Sequence, residues 1–217
     1  MDHLIKSSPY DDSSRIEMHE FVSSDADRVL DVGCHSGMFG RALKAARAIE
    51  VWGLEINPES ATVASSHLDQ VINAPFSDSA PIPDNYFDVI VFNDVLEHII
   101  DPWAALTLAK LKLRSGGTVV ASIPNFRHIE NMIHLIKERD FRYELDGVRD
   151  KTHLRFFTKV SALRLFEESG FEVVRIVGIN EDWWRPSFLR RLAFRLMSAA
   201  LEDTKYVQYA LVARPEP

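Results

Sequence analysis

From Val29 to Gly37 the chain reads Val-Leu-Asp-Val-Gly-Cys-His-Ser-Gly. Asp31 sits near the end of an apolar run. Gly33 and Gly37 bracket a bend where a backbone without Cβ atoms can turn sharply and approach a ligand. A helix start after such a bend offers free N–H groups. Glu55 ends the next apolar run, 24 residues after Asp31, where a carboxylate can accept hydrogen bonds from a ribose diol. Asp31 is placed to hold a cationic amino group, directly or through water. A dinucleotide fingerprint would need glycine at 33, 35 and 38, and the residues are Gly33, His35 and Met38, so that pattern fails. There is no phosphate-binding G-x-x-x-x-G-K-[ST] loop either. Three imidazoles are candidate proton acceptors: His98 after the strongest apolar run, His128 after the next one, and His153 beside Arg155 in a charged stretch. Each could equally anchor a loop through one hydrogen bond.

These residues need elements to position them. Arg28–Val32 reads as a strand, and Met38–Ile49 as a helix with Phe39, Leu43 and Ala46 on one face. Val51–Leu54 is a short strand followed by Asn57-Pro58, an N-cap and first helical residue. Val71 and Ile72 start a weak third strand, and Phe87–Phe92 is a strong buried one. Pro102–Leu113 is helical, with Ser115-Gly116-Gly117 as its stop, and Thr118–Ile123 is the next strand. Strands alternating with helices predict an α/β fold: a Rossmann-like, doubly wound, mostly parallel sheet with helices on both faces. Phe171–Gly178 and Tyr206–Ala213 predict a terminal antiparallel pairing, with a helical segment between them. The organisation expected is one domain over residues 1–217, with an N-terminal cap segment (1–25) and late inserts at 126–158 and 182–203.

Composition narrows the function. Lys plus Arg is 25 and Asp plus Glu is 32, a net charge of −7 that gives no support to bulk binding of nucleic acid. Cys34 is the single cysteine, so no intrachain disulfide can form and no zinc cluster is expected. Cys34 reads as a small packed side chain, since no basic neighbour would lower its pKa. The N-terminal residues lack the apolar centre of a signal peptide, and no run approaches the ~20 apolar residues of a membrane span. A cytoplasmic setting is the expectation.

The runs VLDVGCHSGMFG, GLEIN, FDVIVFNDVLEHIIDPW and LRSGGTVVASIPN occur in order over residues 26–125. They resemble the successive motifs of class I S-adenosylmethionine-dependent methyltransferases, being similar to the methyltransferase-11/23 and ubiquinone-biosynthesis-type groups. The resemblance implies S-adenosyl-L-methionine as cofactor. Asp31, Gly33, His35 and Gly37 would line its methionine part, Glu55 would bind the ribose hydroxyls and Ile56 would pack on the adenine. Asn93, Asp94 and Val95 would sit near the sulfonium. His35 stands where the family usually has glycine. The stretch Asn73-Ala74-Pro75-Phe76 lacks the acidic residue that often meets the adenine amino group, so Phe76 would stack on the ring instead. Tyr10 and Arg15 precede the first helix, where the family's N-terminal segment often covers the cofactor. For an oxygen nucleophile His98 and His128 are the candidate bases, and Asn125 is a candidate contact. Asn93-Asp94-Val95-Leu96 is not the D/N-P-P-Y/W of enzymes that methylate DNA amino groups, and no acidic set suggests a magnesium site, so no metal is expected.

The acceptor is the open question. Asp150–Thr158 (DKTHLRFFT) resembles a segment of bacterial methyltransferases of surface-polysaccharide pathways. A small molecule or glycan, including a lipid-linked sugar, is therefore the expected acceptor, with a quinone-like phenol as runner-up. Residues 187–201 place Phe188, Leu189, Leu192, Ala193, Leu196, Met197, Ala200 and Leu201 at helical spacing, opposite Arg190, Arg191 and Arg195, and Trp183 and Trp184 precede them. Such a helix can cover the sheet, lie on an anionic membrane or form a dimer face. The alternative function is an S-adenosylmethionine-binding partner protein without its own turnover. A nicotinamide dehydrogenase fails at Gly33-x-His35-x-x-Met38.

Overall fold

The computed structural model describes residues 14–181, 187–189, 191–192 and 198–216. Tyr10 and most of the expected helix over 187–201 lie outside them. Seven strands form one sheet: β1 (Arg28–Val32), β2 (Glu50–Leu54), β3 (Gln70–Ile72), β4 (Phe87–Asn93), β5 (Leu113–Pro124), β6 (Phe171–Ile179) and β7 (Gln208–Pro215). Between them run α1 (Ile16–His19), α2 (Met38–Ala46), α3 (Pro58–Ala64), α4 (Pro102–Lys112), α5 (Ile129–Glu138), α6 (Lys159–Glu168) and α7 (Ser198–Leu201). Among the described residues no helix is long and apolar enough to cross a membrane.

The strand order is β3-β2-β1-β4-β5-β7-β6. All pairings from β3 to β5 are parallel, and β7 is antiparallel to both of its neighbours. The chain therefore winds outward from β1 in one direction and from β4 in the other. The crevice beyond the carboxyl ends of β1 and β4 is the topological switch point, where ligands of open α/β sheets bind. Alternation along β4 builds the two cores. Val89 and Val91 join Met18, Phe39, Leu43 and Val51 on one face. Ile90 and Phe92 join Leu106, Leu165 and Phe166 on the other. Both faces are thus covered, which is why Val89–Phe92 reads as an unbroken apolar run.

Local chemistry sets the helix starts. The Asn57 side chain accepts from the Glu59 and Ser60 N–H groups, with Pro58 at the first helical position, as the sequence predicts. Thr158 and Ser161 form a capping box at α6. Two boundaries differ from expectation. α2 ends at Ala46 because Arg47 is already extended, at φ −160°. β5 begins at Leu113, so Ser115-Gly116-Gly117 lies inside a strand. There the pairing skips from Phe87↔Leu113 to Val89↔Thr118, and Gly116, at φ +80°, takes up the bulge.

Candidate cofactor and acceptor site

The bend after β1 is built at the switch point. Gly33 has φ +71°, His35 φ 48° and Gly37 φ +78°. At 33 a side chain would be strained by the left-handed backbone, and its Cβ would stand 2.7 Å from Val95 Cγ2. The loops after β1 and β4 therefore touch, and glycine is what lets them. His35 pays the left-handed cost that a glycine avoids, which accounts physically for the family's usual glycine there.

Glu55 is buried and ties this bend to the next loop. One carboxylate oxygen accepts the His35 N–H at 2.9 Å and the other the Asn57 N–H at 2.7 Å. A carboxylate offers about four acceptor positions, so two remain for a diol. Loss of those charge-assisted bonds sets an expected result: Glu55→Ala weakens binding of S-adenosylmethionine and of its demethylated product alike by roughly 1.5–3 kcal/mol. Calorimetry checks it, and an unchanged affinity would remove Glu55 from the ribose site. Ile56, the next residue, is 72% exposed at the rim. Phe76 is half-buried and meets Phe92 edge-on at 5.6 Å.

Asp31 lies deeper. Burial, reinforced by the charge of Glu55 and opposed by Arg15, pushes its pKa up to about 8. Cys34 is buried, and burial with the nearby Asp31 and Glu55 charges drives its thiol pKa far up. It is a packed side chain and not a nucleophile.

At the end of β4 the expected trio divides. Both polar atoms of the Asn93 side chain are buried without a hydrogen-bond partner, the state of a group awaiting a ligand. Val95 packs against Gly33. Asp94, at φ 53°, is heavily engaged: it pairs with Arg15, accepts the Ser122 hydroxyl at 2.9 Å and accepts Gln208 Nε2 at 2.7 Å. Arg15 also reaches Ser122 Oγ at 3.1 Å. Arg15, just ahead of α1, thus clamps the β4 loop. Ser122 and Gln208 carry no signal in the sequence, because their roles depend on β5 and β7 meeting at this rim.

A short 3₁₀ turn, Leu96–His98, follows. Leu96 and Glu97 are buried and pin it. The Glu97 carbonyl accepts the Leu154 and Arg155 N–H groups at 2.8 and 3.1 Å, which lays the 150–158 strip against the turn. The His98 ring consequently meets His153 at 4.7 Å. His98 Nδ1 lies 3.3 Å from the Thr152 carbonyl and 3.2 Å from Thr152 Oγ1. The carbonyl can only accept, and the hydroxyl gives its own proton to Asp150 Oδ1 at 2.7 Å. Nδ1 therefore carries the proton, and Nε2 holds the free lone pair.

Glu97 is 1% exposed, and both its oxygens lack hydrogen bonds. Burial, with the Asp94 charge adding to it, raises its pKa well above the ordinary value. His153 Nε2 stands 3.9 Å from Glu97 Oε1, and burial lowers the His153 pKa, with the His98 charge acting the same way. Ligand atoms of Glu97, His98 and His153 lie within 4.8 Å of one another. As it stands the group is arranged to handle a proton.

The other sequence candidates fall elsewhere. His128 caps α5 with its backbone, its Nε2 buried and unpartnered, and burial lowers its pKa. The ring beside His98 is that of His153. Asn125 is a correction: it is fully buried, donates to the Asp203 and Tyr206 carbonyls at 2.7 and 2.9 Å and accepts the Arg127 N–H at 3.0 Å. Its side chain builds the loop and has nothing left for a substrate.

Comparison with known proteins agrees with this geometry. The methyltransferase domain family matches residues 8–176. The ubiquinone biosynthesis O-methyltransferase of Aeromonas salmonicida is 27% identical over 160 residues, covering 70% of this chain, and the chain spans 66% of that protein's length. The protein of the same name from Neisseria meningitidis serogroup A is 25% identical over 209 residues, covering 90% of this chain and 82% of its own. Among solved structures, a SAM-dependent methyltransferase from Archaeoglobus fulgidus superposes with a TM-score of 0.62 at 21% identity, covering 87% of this chain and 86% of its own, which shows the shared fold. Fold, site geometry and family match converge: the chain belongs to the methyltransferase domain family, among the class I S-adenosylmethionine-dependent methyltransferases.

Proposed function

We propose that this protein methylates a hydroxyl oxygen of a small-molecule or glycan acceptor. The observation that carries this reading is the His98 Nε2 lone pair, oriented at the carboxyl end of β4 by the two acceptors around Nδ1. The names of the curated relatives, O-methyltransferases, support an oxygen acceptor.

The residues present fit the cofactor. Gly33 lets the loops after β1 and β4 close against each other where a Cβ would strike Val95, Asn93 has unpaired buried polar atoms, and Asp31 and Glu55 offer carboxylates to a cationic amino group and a diol. S-adenosylmethionine supplies a methyl group on a sulfonium leaving group, which is the difficult part of the chemistry. The protein's share is to hold the acceptor oxygen in line and take its proton. His98 Nε2 would accept the proton that the acceptor oxygen gives up. Phe126, His153, Arg155 and Phe156 pack closely around the buried Glu97.

The test has two stages. Calorimetry with S-adenosylmethionine and its demethylated product should show binding, and its absence would sink the reading. Radiolabelled methyl transfer is then screened against hydroxylated acceptors, with a polysaccharide-type sugar and a quinone-like phenol as the two arms. Binding with no transfer to any acceptor would instead favour a cofactor-binding partner protein.

A further inference from the structure

The connection from β6 to β7 leaves and returns at the edge where the site opens. Ile179 at the end of β6 and Pro124 at the end of β5 both pair with Gln208, the first residue of β7. Beside them Asn93, at the end of β4, pairs with Ser122. Residues 180–207 are therefore an excursion from the carboxyl rim. Its return is clamped there: Arg127 pairs with Asp203 at 2.7 Å and donates to the Ala200 carbonyl at 2.7 Å, and buried Asn125 holds the Asp203 and Tyr206 carbonyls.

On this excursion a helical turn, closed by the Arg191 N–H on the Ser187 carbonyl at 3.0 Å, leaves three large apolar side chains in water. Phe188 is 78% exposed, Leu189 73% and Leu192 45%, and Arg191 is exposed beside them. Charge singles out the same stretch. Residues 183–201 contain four arginines, two tryptophans and no acidic residue. The rest of the chain holds the other 21 basic residues against 32 acidic ones, a net −11. An exposed apolar group beside an exposed arginine, in a stretch of net positive charge on an otherwise acidic chain, is complementary to an anionic bilayer, where Phe188, Leu189 and Leu192 enter the interface and Arg191 meets lipid phosphates. A second copy of this chain fits less well, because a symmetric contact would bring Arg191 and its like-charged stretch against their own copies.

We propose that Phe188, Leu189 and Leu192, with Arg191, seat this protein on anionic membrane surfaces and hold the carboxyl rim of the sheet, with its acceptor side, at the bilayer.

The experiment is flotation of the full chain with two kinds of vesicle: pure phosphatidylcholine, and phosphatidylcholine with about 30 mol% phosphatidylglycerol. The protein should float with the anionic vesicles, remain in solution with the neutral ones, and be released by high salt. Phe188→Asp with Leu189→Asp should lower the bound fraction by ~tenfold or more, at an unchanged thermal midpoint because both side chains are exposed. Arg191→Glu, a milder change, should weaken binding to anionic vesicles in the same direction. No flotation with either vesicle, or equal flotation of wild type and double variant, would overturn the proposal. So would a wild-type dimer in light scattering that the double variant dissolves without any vesicle binding. None of these readouts uses methyl transfer, so the proposal stands or falls apart from the enzymatic reading.

Discussion

Cofactor affinity is expected to rise roughly tenfold per pH unit between about pH 6 and 8 and to level off above that. The reason is Asp31. In the empty protein burial and the neighbouring Glu55 charge push its pKa up to about 8, so at pH 6 its carboxyl is almost entirely protonated. A cationic amino group beside it requires the ionised form, and a proton must leave when the cofactor binds. The sign follows: below the raised pKa, binding competes with protons, and above it the competition ends. Stability of the empty protein should run the other way. The native state holds a proton that the unfolded chain gives up near pH ~4, so Asp31 costs stability as pH rises from there to about 8. The thermal shift produced by cofactor should therefore widen with pH. Calorimetry in buffers of different ionisation enthalpy reads the released proton directly. Asp31→Asn should flatten the pH dependence and bring the affinity at pH 8 down towards the wild-type value at pH 6. A wild-type affinity that does not change from pH 6 to 8 would show that Asp31 does not hold the cation.

What could be read from the residues divides along a physical line. The bend at Gly33, the acid at Glu55 and the Asn57-Pro58 helix start are local: each is set by a few neighbours whose types carry the geometry. The apolar run Val89–Phe92 within β4 likewise announced a buried strand. The pairing of His98 with His153 spans 55 residues of sequence. It exists because one carbonyl, that of Glu97, accepts two N–H groups from the far strip. No pattern in either segment encodes that bond, and His128, one strand away, looked equally placed. Glu97 stood in plain sight beside His98, but its interest lies in burial without partners, which only packing reveals. Asn125 failed for the same reason in reverse. A polar residue at a strand end looks like a ligand contact until the Asp203 and Tyr206 carbonyls turn out to use it up. Ser115-Gly116-Gly117 was read as the stop of the preceding helix, and it forms a bulge within β5 because β4 continues alongside to pair with both flanks.

Replacing His98 with alanine should lower kcat on a hydroxyl acceptor by roughly 10²–10⁴-fold while leaving cofactor binding near wild type. The magnitude is what a positioned base contributes when the nucleophile must lose a proton as it attacks. The split between kcat and cofactor affinity is what separates a base from a residue that builds the cofactor pocket. His153 and Glu97 act through His98. His153→Ala removes the ring at 4.7 Å that limits how His98 can turn. Its expected effect is a smaller loss in kcat, roughly tenfold, consistent with misplacement of a reacting group. Glu97→Gln keeps the shape of a side chain held neutral by burial and the Asp94 charge, so it should be nearly silent, whereas Glu97→Ala opens a hole beneath the turn and should lower thermal stability as well. His128→Ala is the control: His128 caps the start of α5 with its backbone, and kcat should change by less than about threefold. Wild-type turnover in His98→Ala would mean that the acceptor reaches the methyl group already deprotonated or needs no base, as a neutral amine would, and the acceptor class would then move from hydroxyl to amine.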